Sequence, residues 1–116
     1  VEAGIRRLSE LAAAATGPWP RVVVVTLGKD GAAAVLAKGV VLRAPALPVA
    51  LVDTTGAGDA FTGGLCTALA EGCTLADAVH FANAVAGISV TRLGTAASMP
   101  DRSEIDRLMR RAGRQR

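Results

Sequence analysis

Aromatic residues make up only 3% of this sequence of 116 residues, and tyrosine is absent from it. The two cysteines, Cys66 and Cys73, have neither the spacing of a zinc or redox motif nor the number needed for a disulfide framework, so we expect both to be buried as small apolar residues. No apolar run approaches the roughly 20 residues that a membrane-spanning helix requires. The first residues also lack the zones of a signal peptide. These absences predict a soluble cytoplasmic protein whose core consists of many small contacts.

The net charge of +3 is unevenly distributed along the chain. Five of the thirteen basic residues lie at the C-terminal end, and the part that precedes them carries more acidic than basic side chains. No aromatic residues alternate with these arginines, so we interpret them as the solvated end of a helix. We therefore expect neither nucleic acid nor a membrane as a partner. The arginines are Arg107, Arg110, Arg111, Arg114 and Arg116.

Hydrophobic periodicity predicts a helix, a strand and a hairpin in the first part of the chain. Apolar residues recur at helical spacing over residues 2–16, and four consecutive valines in residues 21–27 are typical of a strand buried on both faces. Residues 32–37 and 40–44 predict a hairpin that turns at Lys38 and Gly39. This mixture predicts an α/β layer structure in one small domain.

Three helices are predicted to follow an extended segment. The first follows the glycine-rich stretch described below, and Thr74 with Asp77 is a capping signal at the start of the second, which should end near Gly94. Asp101 and Glu104 repeat this signal before the third helix. One buried strand and one hairpin are little sheet for so much helix, and the chain begins with Val1. We therefore expect it to be a piece of a larger domain.

The stretch "DTTGAGDAFTGG", residues 53–64, is the most informative part of the sequence. If the glycine turn (residues 53–58) leads into a helix, the N–H groups of Gly56, Ala57 and Gly58 face the space ahead of the helix N-terminus, where an anion is favoured. The phosphate loop of P-loop proteins is excluded because no lysine lies nearby. A dinucleotide-binding fingerprint is excluded because Phe61 stands where its third glycine belongs. Two further glycines, Gly63 and Gly64, are predicted to allow close packing of a neighbouring helix, with direct contact to a ligand as the alternative.

Asp59 directly follows the predicted anion cradle. A carboxylate and a bound phosphate repel each other, so a carboxylate at this position needs a functional reason. The obvious one is to orient and deprotonate a hydroxyl that attacks the phosphoryl group. A simple helix-capping role would account for Asp59 alone, but not for Asp53, Thr54 and Thr55 beside the glycines. The residues therefore favour phosphoryl transfer.

These residues resemble the ribokinase-like (PfkB) family of carbohydrate and nucleoside kinases. Residues 53–64 match every specified position of its signature D-T-x-G-A-G-D-x-x-x-G-G, and residues 24–31 and 81–100 resemble its nucleotide loop and its closing helix and loop. The resemblance implies an α/β fold, the ribokinase-like three-layer αβα sandwich, of which residues 1–116 would be the C-terminal, nucleotide-binding portion. The sugar-binding portion and lid of the family have no counterpart in this sequence.

The resemblance also implies roles for individual residues. Asp59 would be the base that activates a sugar hydroxymethyl group, and the turn residues Gly56, Ala57 and Gly58 would form the anion hole. Contacts to ATP would come from Thr26, Gly28, Gly31 and Asn83. A monovalent cation, usually potassium in this family, would be held largely through carbonyl groups by Asp53, Thr55, Val90, Leu93, Thr95 and Ser98. Magnesium would accompany ATP.

The function implied is ATP-dependent phosphorylation of a sugar hydroxymethyl group, with these residues inactive in isolation. A nucleoside kinase of the same fold is the first alternative, and a truncated, non-catalytic nucleotide-binding remnant is the second. The expected partner is a small sugar, and the possibility of a homodimer is left open.

Overall fold

A computed structural model describes residues 2–17, 20, 22–94 and 99–114 of the chain. The chain divides into two compact units, Val1–Pro45 and Ala46–Arg116. No helix in the described ranges is long and apolar enough to cross a membrane.

The first unit contains a helix and a small antiparallel sheet. Helix α1 spans Glu2–Ala14, and the strands are β1 (Val22–Thr26), β2 (Ala32–Leu36) and β3 (Val41–Ala44). The sheet order is β1-β2-β3, with both pairs antiparallel. Helix α1 packs on the sheet through an apolar cluster, because its apolar residues recur on one face. The buried members are Ile5, Ala12, Ala33 and Val35.

The interior strand of this sheet is β2, whereas the valine run forms β1, for which the sequence predicts burial on both faces with neighbours from outside these residues. The side chains of Val22–Val25 are only partly buried, whereas Ala32–Val35 are at most 1% exposed. In the described part of the chain β1 pairs with β2 alone, while β2 has a neighbour on each side. Strand position, rather than residue type, therefore decides which strand is enclosed.

The turn between β2 and β3 was predicted correctly. Lys38 and Gly39 both have positive φ, at 66° and 83°, which suits the right-handed twist of a two-stranded ribbon. A side chain at Gly39 would place its Cβ 2.7 Å from the carbonyl oxygen of Ser9 on α1. The Ser9 hydroxyl in turn donates to the carbonyl oxygen of Gly39 at 2.6 Å. Close approach of α1 thus requires glycine at this position.

The second unit is formed by three helices after an extended segment. They are α2 (Ala57–Ala70), α3 (Leu75–Ser89) and α4 (Arg102–Arg114). Helix α3 ends five residues before the predicted Gly94, because the Thr91 hydroxyl and the backbone N–H of Thr91 both turn back to the carbonyl of Ile88. The predicted capping residue Thr74 accepts a hydrogen bond from the Asp77 N–H at 3.2 Å.

Helices α2 and α3 pack closely where α2 carries glycine. A Cβ at Gly64 would lie 2.9 Å from Cγ2 of Val85, so the prediction of helix packing is confirmed for this residue. It is wrong for Gly63, because a Cβ there would meet no atom within 4 Å. The prediction that both cysteines are buried was also wrong. Cys66 is exposed on the outer face of α2, and Cys73 is exposed in the turn after it.

Candidate active site

The glycine turn leads into α2, and several backbone N–H groups at the start of this helix have no acceptor among the described residues. Gly56 adopts a left-handed conformation with φ of 80°, and no side chain caps the helix. The Ala57 N–H donates to the carbonyl of Thr54 at 3.2 Å, so one of the three predicted anion-hole donors is occupied. Within the described part of the chain, the N–H groups of Gly56, Gly58 and Asp59 meet no acceptor. The turn can therefore still direct several donors at an anion.

Asp59 lies in the first turn of α2 with its carboxylate exposed. Among the described residues, no cation or hydrogen-bond donor contacts this carboxylate. It lines a cavity of about 310 Å³, whose other walls come from α2, from Phe81 and Val85 on α3, and from Arg102 at the start of α4. The positive end of the α2 dipole favours negative charge at this position. The carboxylate is thus accessible from the cavity.

Asp53 is engaged, in contrast to Asp59. One of its oxygens, Oδ1, accepts hydrogen bonds from the Thr55 hydroxyl at 2.7 Å and from the Thr55 N–H at 2.9 Å. The other, Oδ2, accepts the N–H of Gly94 at 3.3 Å. These bonds, above all the one from the Thr55 hydroxyl, hold the pKa of Asp53 below its usual value. Asp53 therefore fixes the turn and ties it to the segment that follows α3.

A second tie runs through the carbonyl of Val90, at the end of α3. Its oxygen accepts the N–H groups of Val52 at 2.7 Å and of Asp53 at 3.0 Å. Together with the Asp53–Gly94 contact, this tie holds the glycine turn against the C-terminal end of α3. Sequence reasoning missed both Gly94 and the Thr54 carbonyl; the glycine at the end of the "VTRLG" run was the available signal for Gly94.

The predicted cation site remains a prediction. Both lone pairs of the Val90 oxygen are used by N–H donors, and the side chains of Asp53 and Thr55 are hydrogen-bonded to each other. Leu93 is exposed, whereas Thr95 and Ser98 lie outside the described residues. No cluster of three or more acidic, histidine or cysteine side chains suited to a metal occurs in the described ranges. We therefore derive no step through potassium or magnesium.

The loop after β1, in the first unit, carries the other predicted nucleotide residues. Thr26 and Gly28 are exposed, and the N–H groups of Gly28 and Lys29 meet no acceptor in the described part of the chain. Gly31 is buried, has φ of 86° and donates to the Gly28 carbonyl at 3.1 Å. Gly31 thus shapes the turn, while Thr26 and Gly28 are available to a ligand.

Asn83, the residue predicted to lie against adenine, sits in the middle of α3 and is only 8% exposed. A contact to adenine would have to use that small exposed part. The second unit therefore brings together Asp53, Thr55, the turn residues, Asp59 and Val90, and the first unit presents Thr26 and Gly28.

A sequence profile described as "pfkB family carbohydrate kinase" matches residues 3–102. Ribokinase from Bacillus subtilis is 41% identical to the chain over 91 residues, which are 78% of the chain and 31% of that protein. These similarities confirm the predicted family resemblance.

Two solved structures extend the similarity to the fold. Ribokinase from Arabidopsis thaliana, complexed with ribose and ATP, matches with a TM-score of 0.73 and 37% identity, over 77% of the chain and 29% of that structure. Aminoimidazole riboside kinase from Salmonella enterica, complexed with aminoimidazole riboside and an ATP analogue, matches with a TM-score of 0.70 and 34% identity, over 77% and 31%. The predicted ribokinase-like α/β fold class is confirmed for the portion present. The chain spans about a third of the length of the relatives it matches.

Proposed function

This chain belongs to the pfkB family of carbohydrate kinases, and we propose that it supplies the phosphoryl-transfer half of an ATP-dependent kinase acting on a sugar hydroxymethyl group. The proposal is carried by the contrast between two aspartates. Asp53 is held by three hydrogen bonds, whereas Asp59 stands unpartnered in the described structure at a helix start with open N–H donors. One carboxylate thus builds the turn and the other is left for chemistry.

In the proposed reaction Asp59 accepts the proton of the acceptor hydroxyl as its oxygen attacks the γ-phosphorus of ATP. The bond between the γ-phosphorus and the bridging oxygen breaks, and ADP leaves with that electron pair. The N–H groups of Gly56, Gly58 and Asp59 donate to the oxygens of the transferred group, where charge is spread in a loose transition state. Positioning therefore contributes more than basicity, and an exposed, ordinary carboxylate suffices as the base.

The nucleotide is assigned to the predicted residues that the structure leaves accessible. We assign ATP contacts to Thr26 and Gly28, and a contact through its small exposed surface to Asn83. In this proposal magnesium acts as the counter-ion of ATP. Potassium and its ligands remain a prediction of the resemblance.

The test replaces Asp59 in the natural polypeptide that contains these residues. Asp59→Asn should lower kcat for ribose phosphorylation at least about 100-fold, because the proton acceptor is lost. The affinity for ATP, measured by competition with a fluorescent analogue, should stay within a few-fold. Asp77→Asn is the matched control, since Asp77 is also an exposed aspartate in the first turn of a helix. Turnover retained by Asp59→Asn would remove the base assignment.

A nucleoside acceptor is the second candidate, supported by the similarity to aminoimidazole riboside kinase. Both acceptors present a ribose hydroxymethyl group, so the same turn serves either. The ratio of kcat/KM for ribose and for inosine separates them. ATP binding without turnover on either acceptor would instead identify a nucleotide-binding remnant.

A further inference from the structure

A second cavity, of about 210 Å³, lies in the second unit between the end of α3 and α4. Arg92, Arg107 and Arg111 line it, and we call it the arginine cleft. Asp59 and the other residues of the candidate active site do not line it. Arg107 and Arg111 are spaced four residues apart on α4, so both project to the same side of that helix.

Positive charge in the arginine cleft is only partly neutralised. Glu104 is the one carboxylate in its lining, and its Oε1 lies 2.7 Å from the guanidinium of Arg92. Asp101 acts on Arg92 and Arg107 at longer range. Within the described part of the chain, neither Arg107 nor Arg111 forms an ion pair with a carboxylate. Like charges at this helical spacing destabilise a helix, and a bound anion would relieve that repulsion.

The carbonyl groups at the neighbouring C-terminal end of α3 repel an anion only weakly. A helix C-terminus normally presents unpaired carbonyl groups, but here the Ile88 carbonyl accepts the hydroxyl and the N–H of Thr91. The Val90 carbonyl is likewise occupied by two N–H donors. These hydrogen bonds therefore lessen the repulsion that the two carbonyl groups exert on an anion in the cleft.

We propose that the arginine cleft binds a tetrahedral dianion, the phosphoryl group of a small phosphorylated molecule. Guanidinium groups match the oxygens of such a group through paired N–H donors, and two that form no ion pair with the described residues line the cavity together. Leu108 and Val49 in the lining offer apolar contact to the remainder of the molecule. This site is separate from the proposed function, because none of its residues takes part in phosphoryl transfer.

The test titrates inorganic phosphate into the full chain, with chloride as the reference at constant ionic strength. Arginine side-chain N–H resonances in ¹⁵N spectra report phosphate in the cleft, and the backbone N–H resonances of Gly56 and Gly58 report phosphate at the glycine turn, so the two sites are recorded apart. We expect saturable shifts at Arg107 and Arg111. Arg107→Gln and Arg111→Gln should each weaken this binding about tenfold, the effect of losing one charged hydrogen-bonding group.

Arg110→Gln is the matched control, because it removes the same charge from the same helix without touching the cleft. It should leave the phosphate affinity within twofold. Arg111→Lys keeps the charge but not the planar fork, and an intermediate affinity supports paired hydrogen bonds. Equal weakening by Arg110→Gln, or shifts that never saturate, would overturn the proposal. Circular dichroism confirms that each variant remains folded, and kinase activity plays no part in the readout.

Discussion

Two helices of the second unit begin in opposite ways. At α4, Asp101 Oδ1 accepts the Glu104 N–H at 2.9 Å, and Glu104 Oε2 accepts the Asp101 N–H at 3.1 Å, so the capping box is closed by the chain itself. At α2, a left-handed Gly56 precedes the helix and no side chain caps it. The closed start stabilises the fold, whereas the open start leaves donors for a ligand. A helix start left unsatisfied beside a free carboxylate is therefore a better sign of function than glycine content.

Apart from the loss of the Asp59 carboxylate, the largest expected effect comes from crowding the open start. Gly58→Ala should lower kcat/KM for phosphoryl transfer by about 100-fold, because a methyl group there displaces the bound phosphate by a fraction of an ångström or more. The unfolding midpoint should stay the same or rise, since the new Cβ meets no atom within 4 Å and alanine favours the helix by up to about 1 kcal/mol. Steady-state kinetics and thermal melts measure the two effects.

Gly113→Ala provides the comparison for this variant, because Gly113 is a helical glycine of α4 that also has open space around its Cβ. It should affect neither kcat nor KM. A Gly58→Ala enzyme as active as the wild type would show that the open start of α2 does not hold the phosphate.

A smaller effect is expected from opening the closed start. Asp101→Ala should lower the unfolding midpoint by several degrees, because the Glu104 N–H and the Ser103 hydroxyl lose their acceptor. Asp59→Ala should lower the midpoint less than Asp101→Ala does, since the Asp59 carboxylate accepts no hydrogen bond in the described structure and only its weak interaction with the helix dipole is lost. Equal destabilisation by the two variants, in melts at pH 7, would contradict the contrast between the helix starts.

The smallest expected effect is the pH dependence of the difference in unfolding midpoint between the wild type and Asp101→Ala. The hydrogen bond from the Glu104 N–H, together with that from Ser103, lowers the pKa of Asp101 in the folded protein. The stabilisation is therefore complete above the unfolded value of about 3.8 and is lost as the pH falls through the lower folded value. The midpoints of wild type and Asp101→Ala should converge at acidic pH. A difference that persists there would assign the destabilisation to something other than the charged cap.

Local features of the fold were predictable because they depend on neighbouring residues. The caps at Thr74 and Asp101 and the turn at Lys38–Gly39 each follow from side chains within four positions in the sequence. The position of β1 in the sheet was not predictable, because a run of valines reports β-propensity and not the number of neighbouring strands. The exposure of Cys66 likewise depends on which face of α2 packs against α3.

In the candidate site, too, some features follow from neighbouring residues in the sequence and others do not. The signature predicted Asp59 and the glycine turn, because these residues are contiguous in the sequence and a sequence pattern can identify them. The Ala57–Thr54 bond and the double use of the Val90 carbonyl arise from backbone geometry, to which side-chain identity gives little guidance. For the same reason the predicted ligands of the cation, which are mostly carbonyl groups, are the part of the site that the structure supports least.

The contact between Asp53 and the Gly94 N–H also bears on the order of folding. It joins residues 41 positions apart, and the helical hairpin of α2 and α3 lies between them. Closing so long a loop costs chain entropy, which is lower once the hairpin has paired and has brought its two ends together. We therefore expect the glycine turn to reach its final geometry late in folding, and to be among the first parts of the unit to open in hydrogen exchange.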